Sequence, residues 1–403
     1  LGCGVGCLGC VAPGISQNPG AMHPQTPHPK HETLNTIYMY KIEPDIRKAA
    51  TLPGTFYNDP RVFDTCRESV FARSWQMIVG AEETVKLPHD ALPFQFMDGL
   101  IEEPLLLLKD AQQKLQCMSN VCTHRGKILV EHPGKLERGI ICSYHGRRFH
   151  LDGTFAAMPE THDMENFPCA DDNLVQLPVH QWRQFAFTSL DPACPFTDWV
   201  ADMERKIGFL PVEQFRFRPA RSRDYLVHAN WALYCDNYLE GFHIPFVHKA
   251  LAEALDWGAY RTEVSRWSNV QIGVAKGGEE VFDLPEGHED YGQAIAGYYF
   301  WLYPNIMFNF YPWGLSLNIV RPLQHNLTKV SFRAYVWKEE KLGTGAGADL
   351  DLVEREDEAV VEQVQVGTRS RFYKHGRFSP RQEQGVHHFH RLLADSLRVQ
   401  PKN

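Results

Sequence analysis

Cys122-Thr-His124-Arg-Gly126 and Cys142-Ser-Tyr-His145-Gly146, with seventeen residues between His124 and Cys142, are the stretches from which the rest of the chain can be placed. Each is a chelating loop that offers one thiolate and one imidazole. Four Cys, or a Cys pair with a terminal His pair, would point to zinc. One soft and one borderline ligand per loop suits instead a two-iron cluster, one iron held by both thiolates and the other by both imidazoles. The competing reading is a zinc ribbon in which all four residues bind one ion. Gly126 and Gly146 argue against it, because a tight turn after each ligand pair lets backbone N–H groups point at the sulfurs.

The chain has 403 residues, enough for more than one domain around a large core. A net charge of −8 and the lack of a dense Lys/Arg run argue against a nucleic-acid surface and for a small-molecule enzyme. No apolar run reaches the roughly 18 residues that span a bilayer, so no membrane association is expected. Eight of the ten cysteines (Cys3, Cys7, Cys10, Cys66, Cys117, Cys169, Cys194, Cys235) lie outside the loops without regular spacing. They do not read as a disulfide framework, and a reducing cytoplasm is the expected location. Residues 1–38, with three Cys and then a Pro- and His-rich run, fit neither a signal peptide nor a folded element. They are expected to be a disordered or extraneous tail ahead of a natural start at Met39.

Asn58-Asp59-Pro60 followed by Val62, Phe63, Cys66, Val70 and Phe71 predicts a capped amphipathic helix ending near Ser74-Trp75. Short β-type segments follow at 76–79, 93–97, 104–109 and 115–118, then around Val175 and at 185–189. A small antiparallel β domain over 76–190 is expected, with both ligand loops at one end, preceded by a helical segment at 39–75. Residues 191–403 form the remaining domain.

Within it, Trp231 to Phe242 reads as a helix stopped by Pro245. At about 100° per residue Asp236, Glu240 and His243 share one face, and His248 swings back beyond the proline. Two neutral imidazoles need one carboxylate to complete a facial triad for Fe(II) with positions open to dioxygen. The candidate is Asp357, in an acidic helix over 351–373. Its neighbours Val353, Val360, Val361 and Val364 put it on an apolar stripe, with Glu354, Arg355, Glu356 and Glu358 pointing elsewhere. A lone carboxylate on a buried face needs a partner. Either a metal or an unrecognised core Arg would serve, as ordinary packing would for the two histidines. The aromatic run 298–311 and the segment 315–322 read as strands of a larger antiparallel sheet. Trp301, Phe308, Phe310 and Trp313 are the candidate pocket walls, of which strand alternation turns only about half inward. His387-His388-Phe-His390 is read as a surface or packing feature.

Taken together, Cys-x-His-x17-Cys-x-x-His, Asn237-x-x-Glu240-x-x-His243-x4-His248 and Glu354-x-x-Asp357 resemble the catalytic α subunit of Rieske non-haem iron oxygenases over about residues 40–395. The stretches 235–249 and 304–314 are most similar to the choline monooxygenase and quaternary-ammonium branch. The resemblance implies an α+β protein, a small antiparallel Rieske domain inserted into a helix-grip catalytic domain. It also implies a [2Fe-2S] cluster, mononuclear Fe(II), O2, NAD(P)H electrons through a separate reductase, and a head-to-tail α3 homotrimer. Glu240, with Asn237 and Asp236 beside it, would be the catalytic carboxylate. It would hydrogen-bond His243 on its own iron and His145 across the subunit interface. Many members carry Asp there, and a Glu reaches one methylene further. Ser143 and Arg147 stand where the family often has Pro and Trp, so cluster packing, potential or reductase docking should differ while ligation is kept.

The expected activity is oxygenation of a small molecule, a quaternary ammonium compound held by cation–π contacts worth about 0.5 to 2 kcal/mol each. An aromatic-ring hydroxylase or O-demethylase with the same metals is the alternative, a flat neutral substrate stacking on the same wall. A pocket carboxylate would favour the cation. A non-catalytic Rieske electron carrier with a degenerate C-terminal half is the third reading.

Overall fold

The structure, a computed structural model, describes residues 40–347 and 350–398. The tail with Cys3, Cys7 and Cys10, and the expected start at Met39, lie outside the described residues.

The C-terminal half is organised by an eight-stranded antiparallel sheet. Its strands run in the order Arg216–Phe217, Leu327–Val336, Gly314–Gln324, Ile306–Tyr311, Ile295–Leu302, Ser268–Val274 and Arg261–Val264. Arg223–Val227 also pairs with Leu327–Val336. These segments are rich in β-branched and aromatic residues, which suit a pleated surface buried on both faces. Side chains alternate across the sheet. Phe300, Phe308 and Phe310 fall on one face, in a core with Trp182 and with Trp199 of the helix Phe196–Ile207. Trp301 and Met307 fall on the other, in a core with the helices Trp231–Tyr238 and Gln384–Ser396. A helix-grip layer results, with the long helix Leu350–Gly367 packed against Trp231–Tyr238.

The cluster-loop half is built from smaller antiparallel sheets. Five strands, ordered Gly134–Lys135, Asp90–Phe96, Glu103–Lys109, Leu115–Ser119 and Gln176–Leu177, form one; Ile140–Ile141, Arg148–Phe149 and Phe155–Ala157 form a second. Their shared core of Leu106, Leu108, Met118, Ile140 and Phe149 includes both Cys122 and Cys142, so the thiols are anchored from below. A third sheet joins Gln76–Met77 to Phe185–Thr188 and Val179–Trp182, bringing entry and exit of this half together.

The helix at Pro60–Cys66 starts as expected, the Asp59 side chain accepting from the Arg61 backbone N–H at 2.9 Å. It continues through a wider π-turn, Arg67–Phe71, whose Phe71 packs edge-on to Trp231 at 4.7 Å. Two expected helix boundaries are corrected. The helix from Trp231 ends at Tyr238, not Phe242. Beyond it Gly241 sits so close beneath Tyr260 that a Cβ there would lie 2.6 Å from the ring. Pro245 therefore occupies the first turn of a new short helix, Ile244–Val247, and does not terminate the old one. The acidic helix ends at Gly367, short of Tyr373.

Candidate metal centres and pocket

The two cluster loops are the same turn built twice. In each, the Cys N–H bonds to a carbonyl five residues on, Cys122 to Lys127 and Cys142 to Arg147, both at 2.8 Å. The glycine N–H then bonds back to the Cys carbonyl, at 2.9 Å for Gly126 and 3.0 Å for Gly146. Both glycines are left-handed, φ 71° and 72°, which a side chain would strain. The turns aim the N–H groups of His124 and Arg125 at the Cys122 sulfur, and those of Tyr144 and His145 at the Cys142 sulfur. Both thiols are buried, while the His124 and His145 rings lie 4.8 Å apart nearer the surface. Two thiols below, two imidazoles above and N–H donors directed at sulfur fit a [2Fe-2S] cluster.

Arg147 clamps this arrangement. It is buried, donates to the Asp172 carboxylate at 2.6 Å and to the Asp172 carbonyl at 3.1 Å, and lies over Phe155 at 4.8 Å. The same carbonyl accepts from Thr123 of the other loop at 2.9 Å, so Asp172 ties both loops together. Arg147→Leu is expected to destabilise this half by about 3 kcal/mol, because it strands a largely buried carboxylate. Burial alone would raise the Asp172 carboxyl. Hydrogen bonds from the Cys169 N–H and Arg147 outweigh it and hold the group below the usual carboxylate range. Its contribution is complete above the unfolded carboxylate value, about 3.9, and is lost as pH falls through the lower folded value. Thermal bleaching of the cluster, followed by visible circular dichroism, should show the variant's deficit shrinking below about pH 4.

In the C-terminal half His243, His248 and Asp357 converge, their ligand atoms all lying within 4.8 Å of one another. Asp357 Oδ1 is 3.0 Å from His248 Nε2 and 3.5 Å from His243 Nε2. The other ring nitrogens are held by carboxylates, His243 Nδ1 by Glu240 Oε1 and His248 Nδ1 by Glu356 Oε2, each at 2.7 Å. This sets both tautomers so that Nε2 faces the third donor. Asn237 Nδ2 donates to Asp357 Oδ1 at 2.6 Å, and the His243 N–H donates to Glu240 Oε2 at 3.0 Å. Two oriented imidazoles and one carboxylate fit a ferrous ion with open positions. Glu356→Gln should weaken ferrous binding about 10- to 100-fold in competition with a chromogenic chelator, while leaving the cluster spectrum unchanged.

Several expected site residues sit elsewhere. Asp236 turns away from the triad because the helix carrying it ends before Glu240. It accepts from Tyr57 Oη at 2.8 Å and pairs with His390 Nε2 at 2.9 Å. His390, whose Nδ1 accepts from the Leu52 N–H at 3.1 Å, is thus a packing residue. Trp301 is sealed under Phe389, 5.2 Å between centroids. Phe308 and Phe310 face the opposite core. Trp313 stacks on Tyr311 at 5.3 Å and lines a neighbouring cavity.

The pocket beside the triad, about 110 Å³, is walled instead by Tyr234, Tyr238, Tyr260, Tyr299, Tyr311 and Phe332. Burial pushes all five tyrosine phenols up, so they present neutral rings. Glu354, expected to point outward, is 2% exposed and lines this pocket. Tyr234 Oη donates to its Oε2 at 2.7 Å, while Oε1 has no partner.

Comparison with known proteins agrees with this geometry. The Rieske [2Fe-2S] domain model matches residues 75–168, and the ring hydroxylating alpha subunit (catalytic domain) model matches residues 212–398. The chain is 30% identical to the carnitine monooxygenase oxygenase subunit of Escherichia coli, over 86% of this chain and 94% of that one. It is 29% identical to the chloroplastic choline monooxygenase of Beta vulgaris, over 89% of this chain and 80% of the relative. A crystal structure of the quaternary ammonium Rieske monooxygenase CntA superposes with a TM-score of 0.69 at 26% identity, covering 88% of this chain and 96% of that one.

The fold and its two donor sets define an oxygen-incorporating oxidoreductase that carries a [2Fe-2S] cluster and a mononuclear iron. The chain belongs to the Rieske non-haem iron oxygenases, and the match of the catalytic-domain model to its C-terminal half speaks against a mere electron carrier. When bound, the cluster passes on electrons from a separate reductase and the ferrous ion supplies the chemistry of dioxygen. Among the described residues no helix is long and apolar enough to cross a membrane.

Proposed function

We propose that this chain is the terminal oxygenase for a small quaternary ammonium compound, which it hydroxylates at a C–H bond next to the cationic nitrogen. The supporting observation is the pocket itself. Five neutral tyrosine rings and Phe332 surround a space whose acidic lining groups are Glu240, Glu354 and Asp357, with no Lys or Arg. Ring faces attract a quaternary ammonium by about 0.5 to 2 kcal/mol each. Burial pushes the Glu354 carboxyl well above the usual carboxylate range, and a cation seated beside its unpartnered oxygen would favour the ionised form as a neutral aromatic ring would not. Choline monooxygenases, carnitine monooxygenases and CntA, to which the chain is similar, carry the same class of substrate in their names.

The chain's own groups then act as positioners. Asn237, Glu240 and Glu356 hold the three ligands, and the tyrosine wall holds the reactive C–H beside them and keeps bulk water out. Overall, substrate, dioxygen, two electrons and two protons give a hydroxylated carbon and one water. The product, hydroxylated beside the quaternary nitrogen, loses the hydroxyl proton as its C–N bond breaks, giving an aldehyde and a tertiary amine. The test is a single turnover of the chemically reduced, iron-replete protein with choline, glycine betaine, carnitine and a panel of simple arenes, read by mass spectrometry. An aldehyde or a demethylated amine supports the proposal; ring-hydroxylated product alone overturns it.

A head-to-tail trimer in a reducing compartment belongs to the same proposal. Tyr144 beside His145 is 56% exposed, and Phe242 and Phe246 flanking His243 are 43% and 76% exposed, apolar surface that docking of one chain's cluster tip near another's iron would cover. A trimer is expected in analytical ultracentrifugation, and a monomer at working concentration would overturn it.

A further inference from the structure

Gly273 and Gly297 face each other across the strands Ser268–Val274 and Ile295–Leu302, in the part of the large sheet that floors the tyrosine pocket. Neither needs glycine for its backbone. Both φ angles lie outside the left-handed region, and the bulge that follows Gly273 does not change this. Glycine inside a strand is destabilising relative to alanine, so a pair of them calls for a reason of space.

That reason is Tyr299. Two residues beyond Gly297 and on the same face, its ring lies across the pair. A Cβ at 297 would be 2.6 Å from both Cζ and Oη of Tyr299, and one at 273 would be 3.1 Å from Cε2 and 3.3 Å from Oη. Among the described residues Oη has no hydrogen-bond partner, so packing alone seats the ring. Leu255 closes the flank, its Cδ2 being 3.2 Å from a Cβ at 273, and Tyr311 stands edge-on at 5.7 Å. The ring of Tyr260 is seated the same way on Gly241, but Trp257 stacks on it at 5.5 Å and holds it there. Tyr299 is the wall that can yield. A methyl group on Gly297 would drive its ring about 1 Å off the sheet to restore ordinary contact. The open direction is into the pocket, a space of about 110 Å³.

We infer that Gly273 and Gly297 determine the size of substrate head this enzyme accepts, by letting Tyr299 lie against the sheet and so fixing the room left above its ring. That the head is an ammonium group rests on the cationic reading of the pocket; the seating of the ring does not.

The test is a double-variant cycle of the native protein, Gly297→Ala, Tyr299→Ala and Gly297→Ala/Tyr299→Ala, each assayed as reductase-coupled holoenzyme. Choline and carnitine are compared with their N,N-dimethyl and N,N,N-triethyl analogues, and toluene with tert-butylbenzene. Gly297→Ala is expected to lower kcat/KM for the trimethyl compound relative to the dimethyl one by about 10-fold, mainly through KM. Tyr299→Ala should shift preference towards the triethyl analogue. In that background Gly297→Ala should change selectivity by less than about twofold, because the added methyl acts only through the ring. A glycine needed merely for folding would cost the same on every substrate and in both backgrounds, and that result overturns the inference. If the arenes alone are oxidised, the cationic reading falls, and the same cycle on toluene against tert-butylbenzene decides the question of size. A crystal structure of Gly297→Ala gives a readout that needs no turnover. A Tyr299 ring displaced into the pocket supports the inference, and a ring in its native place overturns it.

Discussion

Asp357→Ala is expected to abolish oxygenation while leaving a folded protein with an intact Rieske spectrum. The triad holds one carboxylate and two imidazoles, and Asp357 Oδ1 is the atom both Nε2 atoms face, at 3.0 and 3.5 Å. Two neutral imidazoles alone cannot balance a divalent ion in a half-buried site. The substitution also frees Asn237, whose Nδ2 bonds to this carboxylate. Metal analysis of the purified variant should show the mononuclear iron lost and the cluster iron kept. Retention of all iron together with measurable product would mean that another carboxylate is the ligand, and Glu354, three residues earlier and lining the same pocket, would be the one to examine.

Glu240→Gln, reconstituted with excess ferrous iron so that both metal sites are loaded, should lower turnover by about 100-fold. Glu240 is bound twice by the same residue, its Oε2 by the His243 backbone N–H and its Oε1 by the ring Nδ1. A glutamine can keep one of these contacts. It cannot supply the negative charge that stabilises the imidazole as charge on the metal changes, nor the carboxylate that would join this histidine to His145 of a neighbouring chain. The readouts are iron content, reduction of the cluster by dithionite and product per electron delivered. Wild-type coupling in this variant would confine Glu240 to holding His243 in place.

The ligand sets were legible because each is local or nearly so. Cys122 with His124, and Cys142 with His145, are bound into single turns whose glycines need φ near +70°, and a turn is a property of five residues. His243 and His248 bracket one short helix, and Asp357 drew notice as an acid among valines. The rest of that inference was offset by one position. The inward stripe is Glu354, Asp357, Val361 and Gln365, whereas Val364 is 43% exposed. A buried helix face made of Glu and Gln has the composition of a solvated one, and hydrophobic periodicity cannot tell them apart. Glu354 and Glu356 were missed for that reason. The Glu354-x-x-Asp357 motif placed the first in view without giving it a role.

The aromatic wall failed differently. That 298–311 forms strands follows from its composition, and that only alternate residues face any one side follows from the pleat. Which side faces iron depends on what packs on each. The helix Phe196–Ile207 and Trp182 claim Phe308 and Phe310, and the helix Gln384–Ser396 covers Trp301 with Phe389, leaving Tyr299, Asn309 and Tyr311 to the pocket. From its sequence alone, then, this protein's metals, reaction class and architecture were determined, because chelating turns and strand composition are written within a few residues. The identity of the pocket, the burial of Glu354 and the seating of Tyr299 were decided only by the tertiary fold. Burial and facing are set by contacts between segments as far apart as Tyr234 and Glu354, and no local pattern encodes them.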